Sequence, residues 1–283
     1  MSDEKSKATL LKEEIMMKGS KGAATLNAEE IKKADDFCVG YKEFLDHSPV
    51  EREAVSYTLE LAKKAGFTEY NENASYNAGD KVYYVNRDKA IALAVIGKNG
   101  VKNGARLAIA HIDSPRIDLK PNPLYEDTNL ALFKTHYYGG LKKYQWTALP
   151  LSLHGTVVKL DGTKVNITWG DDENESCFCV TDLLPHLAKD QVSKPLAKVF
   201  TGEDLNVLVG SRPYEDGNEE KDLVKLNVMS ILNKKYGIVE GDFLSAELCL
   251  IPSFKARDIG FDASMIGGYG HDDKVCAYPA LMA

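Results

Sequence analysis

At 283 residues, with 44% hydrophobic and 27% charged side chains, the chain has the make-up of a globular protein large enough for two packed units, which excludes disordered and collagen-like classes. A formal charge of −7 excludes a protein that works by gripping phosphate backbones, because that task needs Lys and Arg in excess over the acids. No stretch reaches the roughly 18 consecutive apolar residues of a spanning helix, and the N-terminus MSDEKSKATLLKEE lacks the apolar run of a secretory signal.

In chain order, residues up to about 22 are rich in Lys, Glu and Gly with weak periodicity, the pattern of a solvated arm or frayed helix. Asn27 and Glu30 then form a capping box for an amphipathic helix with Ala34, Phe37, Cys38, Tyr41, Phe44 and Leu45 on one face. Ser48 is the expected cap of a second helix, with Pro49 at its first position, Val55, Leu59 and Ala62 on its buried face, and Gly66 past its end. The period next changes: KVYYVN and AIALAVIG read as strands, KNGVKNG as a turn, and ARLAIAH as a strand covered on both faces that ends on His111.

The middle of the chain is β-rich. TVVKL and TKVNITW flank Asp161-Gly162, a hairpin signal, and CFCVTDLLPHL follows after an acidic loop. SRPYEDGNEEKD, about 211–222, reads as a solvated turn-rich loop, and Val224, Val228, Ile231 and Leu232 mark a helix that Gly237 ends. FLSAELCLIP alternates like a strand and leads to GGYGHDDKVCAYPALMA, where a helix is expected to begin near Asp273. Pro279 would cost that helix a backbone hydrogen bond, about 3 kcal/mol in an interior turn.

Two short motifs could carry chemistry. In His111-Ile112-Asp113, a strand-end imidazole can bind a metal through one nitrogen while a carboxylate two residues on accepts the other nitrogen's proton and fixes the tautomer. A hydrogen-bonded His-x-Asp without metal is the alternative. In Asp272-Asp273, an aspartate at a helix start can bridge two metal ions with its two oxygens; plain helix capping is the alternative. The chain contains no His-Glu-x-x-His, no Gly-x-Ser-x-Gly and no phosphate-binding loop with Lys and Ser/Thr, so those enzyme classes lose their support. Cys177 and Cys179 lack a second Cys or His pair at zinc spacing and read as half-buried free thiols, while His47, His136, His154 and His271 show no partner pattern and read as structural or exposed. Five cysteines, odd in number and scattered, suit a reducing compartment, so the expected location is the cytoplasm.

The segments AHIDSPRIDLKPNP, ITWGDDENESCFCVTDLLPHLA and ELCLIPSFKARDIGFDASMIGGYGHDDKVCAY, in this order and spacing, resemble the aspartyl aminopeptidase and vacuolar aminopeptidase I family of dinuclear zinc exopeptidases, of bacterial type. The resemblance implies an α/β fold: a partial catalytic domain with a mixed sheet flanked by helices, over 1–118 and 258–283, interrupted by a β-rich inserted dimerisation domain over 119–257. More than 150 residues between two ligands calls for such an insert, being too long for a loop. It further implies that His111 ligates one zinc, that Asp113 orients it, and that Asp272 bridges both ions with Asp273 beside it. His186 matches a histidine that in this family reaches the neighbouring subunit's active site and steadies the substrate carbonyl. The implied partners are peptide substrates and further copies of the chain, as dimers within a dodecamer; neither membrane nor nucleic acid is expected. The implied reaction is hydrolysis of the first peptide bond by water activated between two zinc ions, with a glutamate as base.

Beyond its bridging aspartate the family pattern continues with a Glu-Glu pair, an aspartate and a histidine. Only eleven residues follow Asp272 here, so this sequence supplies two of the five implied ligands and no base. The expectation is therefore a family member in fragmentary or truncated form, inactive as given, with apolar sheet faces left uncovered. The alternative is a non-catalytic product that binds partner subunits.

Overall fold

The computed structural model describes residues 5–17, 19, 22–215 and 221–283. Two compact units succeed one another, Met1–Tyr41 and Lys42–Ala283. In the first, Ser6 caps the short helix α1 (Lys7–Ile15) through its Oγ, and α1 buries none of its side chains, as its weak periodicity suggests. Helix α2 (Ala28–His47) opens on the expected capping box: Asn27 Oδ1 accepts the Glu29 and Glu30 N–H groups, and Glu30 Oε2 accepts the Asn27 N–H at 2.9 Å. Ala34 and Phe37 on its apolar face are exposed, in contrast to the expected stripe.

In the second unit, the end of α2 buries Phe44 and Leu45. Helix α3 (Glu51–Lys64) starts later than expected: Val50 holds the cap position, and the buried Ser48 hydroxyl has no hydrogen-bond partner among the described residues. Ser48 sits too far ahead of the first turn to reach its N–H groups. The helix ends as Gly66 dictates. That residue takes φ +85°, which lets the Phe67 N–H reach the Ala62 carbonyl and the Gly66 N–H reach Lys63. Val55 and Ala62 are buried on the predicted face. Strands β1 (Thr68–Glu69), β2 (Lys81–Asn86) and β3 (Ala90–Val95) make a small sheet in which β1 runs parallel and β3 antiparallel to β2.

The apolar run Arg106–His111 departs from the expected buried strand. It carries no strand pairing, and Leu107 and Ile109 are 79% and 84% exposed. Apolar sequence alone does not make a strand; it needs a partner edge for its N–H and C=O groups, and no described strand offers one here.

The larger sheet holds β4 (Arg116–Asp127), β5 (Leu130–Tyr138), β6 (Leu151–Val158), β7 (Lys164–Trp169), β8 (Val207–Gly210) and β9 (Glu247–Pro252). Its order is β7-β6-β9-β4-β5-β8, with every neighbouring pair antiparallel. The β6–β7 turn is the predicted one: Gly162 takes φ +85°, and Asp161 Oδ1 accepts the Thr163 N–H. Ile117, Phe133, Leu151, Leu153, Ile167 and Leu250 form its core, each almost fully buried. Each contributes about 1.5–3 kcal/mol relative to an exposed side chain. Helix α6 (Leu223–Tyr236) adds Val224 and Leu232 to the same core and ends, as expected, at a left-handed Gly237. Its start is capped from afar: Glu126 Oε2, on β4, accepts the Val224 and Lys225 N–H groups at 2.9 and 3.0 Å. Between β7 and β8 lie two short turns of helix, α4 (Lys189–Val192) and α5 (Leu196–Val199). The expected acidic loop at 211–222 falls partly outside the described residues, which omit 216–220.

After β9 come the hairpin strands β10 (Arg257–Ile259) and β11 (Met265–Gly267) and the helix α7 (His271–Met282). Asp272 and Asp273 have non-helical backbone, so regular helix begins at Lys274 and continues through Pro279. No helix among the described residues is long and apolar enough to cross a membrane.

His154, on β6, shows how α3 is fastened to this sheet. The imidazole is 1% exposed, with Nδ1 2.9 Å from Glu53 of α3 and Nε2 3.1 Å from Asp171 and 3.0 Å from the Ser152 hydroxyl. Burial opposes its charge, but the hydrogen bonds and charges of Asp171 and Glu53 outweigh this and lift its pKa to about 9 from 6.5. Both ring nitrogens then donate to carboxylates. Because the folded value lies above the unfolded one, the stabilisation is complete below pH 6.5 and is lost as pH rises through 9. Urea unfolding across that window should show a loss on the order of 3 kcal/mol, and His154→Gln should flatten it.

Candidate metal site

The approach of two distant segments builds the site. Strand β4 pairs with β9 through Ile117–Leu250 and Asp118–Cys249. The residues just ahead of β4 and those following the β10–β11 hairpin therefore emerge side by side. Tyr269 strengthens the junction by donating its hydroxyl to the Pro115 carbonyl at 2.9 Å.

At this junction His111 Nε2 lies 3.1 Å from Asp272 Oδ1, across 161 residues of sequence. His111 Nδ1 lies 3.0 Å from the Asp113 carbonyl and 3.2 Å from its carboxylate. Asp113 in turn accepts a hydrogen bond of 2.7 Å from the Tyr138 hydroxyl at the end of β5, and the Arg116 guanidinium sits over the Tyr138 ring at 4.4 Å. The Asp272 side chain is 88% exposed, so its remaining oxygen valences face outward.

The electrostatics follow from this packing. Burial is the largest single influence and disfavours the His111 imidazolium, but the Asp113 carbonyl and charge and the Asp272 hydrogen bond and charge together outweigh it, and the pKa is raised. For Asp113, burial raises the pKa, while the Tyr138 hydrogen bond, its own backbone and His111 carry it below the usual carboxylate value. Beneath the pair Lys274 is completely buried, with Nζ 3.1 Å from Ser114 Oγ and 3.3 Å from the Pro49 carbonyl. Burial lowers its pKa to about 8, against the opposing charges of Glu51 and Asp113.

Thus His111, Asp113 and Asp272 stand together. Asp273 turns away and accepts a hydrogen bond from the Cys276 thiol, whose pKa it raises. His186 is exposed in a turn and makes no hydrogen bond or ion pair with these residues. Cys177 and Cys179 are free thiols. His47 binds the Glu43 carbonyl, and His136 stacks on Tyr137. Sequence reasoning missed Tyr138 and Ser114, which hold the motif residues by contacts between distant segments and leave no local pattern.

Nε2 of His111 and the Asp272 carboxylate are suitable zinc ligands at one point, with the histidine tautomer fixed from behind by Asp113. Among the described residues, however, no group of three or more His, Cys, Asp or Glu side chains could hold a metal ion. The residues present therefore do not amount to a complete zinc site.

Comparison with known proteins gives this geometry a setting. The family model described as "Aminopeptidase I zinc metalloprotease (M18)" matches residues 44–283. The Clostridium acetobutylicum protein named "Probable M18 family aminopeptidase 1" is 51% identical over 247 residues, covering 86% of this chain and 53% of that protein. The crystal structure of an M18-family aminopeptidase from Thermotoga maritima superposes with a TM-score of 0.87 at 43% identity, covering 94% of this chain and 57% of the other. That of aminopeptidase I from Borrelia burgdorferi gives 0.81 at 40% identity, covering 91% and 58%. The chain spans about half the length of the curated relatives it matches.

Replacing Asp272 with Asn removes one of the two charges that favour the His111 imidazolium. Followed by NMR, the His111 titration midpoint in Asp272→Asn should fall toward 6.5, and Tyr138→Phe should raise that of Asp113.

Proposed function

This chain belongs to the M18 family of zinc aminopeptidases, and from that premise we propose that His111 and Asp272 are two of the protein donors of the family's zinc site. The observation that carries this reading is the 3.1 Å approach of Nε2 to Oδ1 between motifs 161 residues apart. Asp113 is the orienting partner: its carbonyl and carboxylate both face Nδ1, leaving Nε2 as the metal-facing nitrogen. Asp272 is the bridging carboxylate, in keeping with its outward-facing oxygens. His186 is a residue that acts on a neighbouring subunit, in line with its exposure.

The activity proposed for the whole protein is cytoplasmic, zinc-dependent removal of N-terminal residues from peptides. For the polypeptide of 283 residues by itself, two donors fall short of the three or four that zinc sites use. Among the described residues, the exposed Leu107–Ile109 stretch also has no partner strand of the kind that a parallel sheet would give it. We therefore read this polypeptide as catalytically incomplete. Its zinc dissociation constant should be weaker than about 1 μM, where complete structural sites reach 10–16 kcal/mol of binding energy. No zinc-dependent release should be seen from Leu-, Glu- or Lys-anilides; turnover abolished by a chelator would contradict the reading.

A second reading is an assembly module. The proposed insert, about 119–257, contains nearly all of the six-stranded sheet, and Leu183, Leu184, Leu187, Val192 and Leu196 stand exposed along one of its connections. An exposed apolar stretch of this kind suits contact with a second copy. A polypeptide of residues 116–257, which keeps β4 whole, should run as a dimer in sedimentation velocity; a strictly monomeric species would count against the insert.

A further inference from the structure

Lys274 has a side chain that a structural account of α7 does not require. It is fully buried, forms no ion pair among the described residues, and lies in the first turn of regular helix, where an unbranched apolar side chain would fill the same space. Burying an ammonium without a carboxylate in contact is costly unless its donors are used. Here two of them are used: Ser114 Oγ, on the segment ahead of β4, lies at 3.1 Å, and the Pro49 carbonyl, just ahead of α3, at 3.3 Å.

The direction of the hydrogen bonds is dictated by chemistry. An ammonium can only donate, so the Ser114 hydroxyl accepts from Lys274 and must send its single proton elsewhere. It sends it to the backbone carbonyl of Asp272, at 3.2 Å. One continuous chain, Lys274 to Ser114 to Asp272, thereby joins the residue three places after His111 to the residue that carries the second carboxylate. The surrounding backbone is shaped for this arrangement. Gly270 takes φ +86°, and a Cβ there would lie 2.6 Å from Lys274 Nζ and 3.1 Å from Ser114 Oγ.

We propose that Lys274 is a positioning residue, which through Ser114 sets the approach of His111 to Asp272. The role of that pair as metal donors rests on the reading above; the positioning itself is a matter of geometry and can be tested without metal. In the metal-free chain, the ring protons flanking His111 Nε2 should give an NOE cross-peak to the Asp272 β-protons. Lys274→Met, which keeps the volume and removes the donors, and Ser114→Ala, which removes only the relay, should each lose the cross-peak. The double variant should show no further change.

Two comparisons separate positioning from general loosening. Ile167→Ala, a core truncation in β7, should keep the cross-peak while lowering the melting temperature, and if Lys274→Met fails to fold, Ser114→Ala decides the matter. A cross-peak retained in a folded Lys274→Met or in Ser114→Ala would overturn the proposal, as would its loss in Ile167→Ala. Failure of the metal-donor reading would show separately, as zinc leaving the His111 imidazole shifts unchanged in the wild-type chain.

Discussion

The pairing of β4 with β9 is the constraint on which the site depends. Ile117–Leu250 and Asp118–Cys249 bring together chain positions more than a hundred residues apart, and the remaining strands of the large sheet are laid on either side of this seam. Loop closure over such a length is entropically costly, and the buried core of Ile117, Leu250, Leu153 and Phe133 offsets it. Once the seam exists, little freedom is left to the flanking segments. The loop before β4 and the turn before α7 meet, and His111 reaches Asp272.

The contacts around the seam are polar as well as apolar, and each element is tied down by a group from another. Glu126 of β4 caps α6, Glu53 of α3 binds His154 of β6, and Arg116 at the start of β4 pairs with Glu51 of α3 at 2.9 Å. Of these groups, the His154 imidazole is the most deeply buried. A charged imidazole between two carboxylates satisfies all three groups, but removing any one leaves the others exposed to the desolvation penalty.

Local signals were legible in the sequence where the physics is local. Asn27 and Glu30 cap α2, Gly66 and Gly237 end their helices, and Asp161-Gly162 turns the β6–β7 hairpin, because each effect acts over a few residues. The β4–β5 hairpin was not legible. Its turn uses Thr128 and Asn129 at φ 47° and 62°, a conformation that a β-branched residue rarely adopts, and β4 contains Pro121 and Pro123, which ordinarily argue against a strand. The ladder tolerates both prolines because its register shifts between Leu119 and Leu124. Arg106–His111 misled in the opposite sense: its residues suit a buried strand, but no partner edge is supplied among the described residues. As for the site, His111, Asp113 and Asp272 were visible as motifs; their meeting, and the parts of Tyr138, Ser114 and Lys274, depend on the tertiary seam.

We propose that His111 and Asp272 act as one donor pair aimed at zinc. Zinc titrated into the 15N-histidine-labelled chain, with the imidazole nitrogens followed by NMR, decides the matter. His111 Nε2 should shift selectively, with Nδ1 remaining protonated toward Asp113, and the shift should be lost in Asp272→Asn. Zinc that leaves Nε2 unmoved, or shifts it equally in the variant, would contradict it.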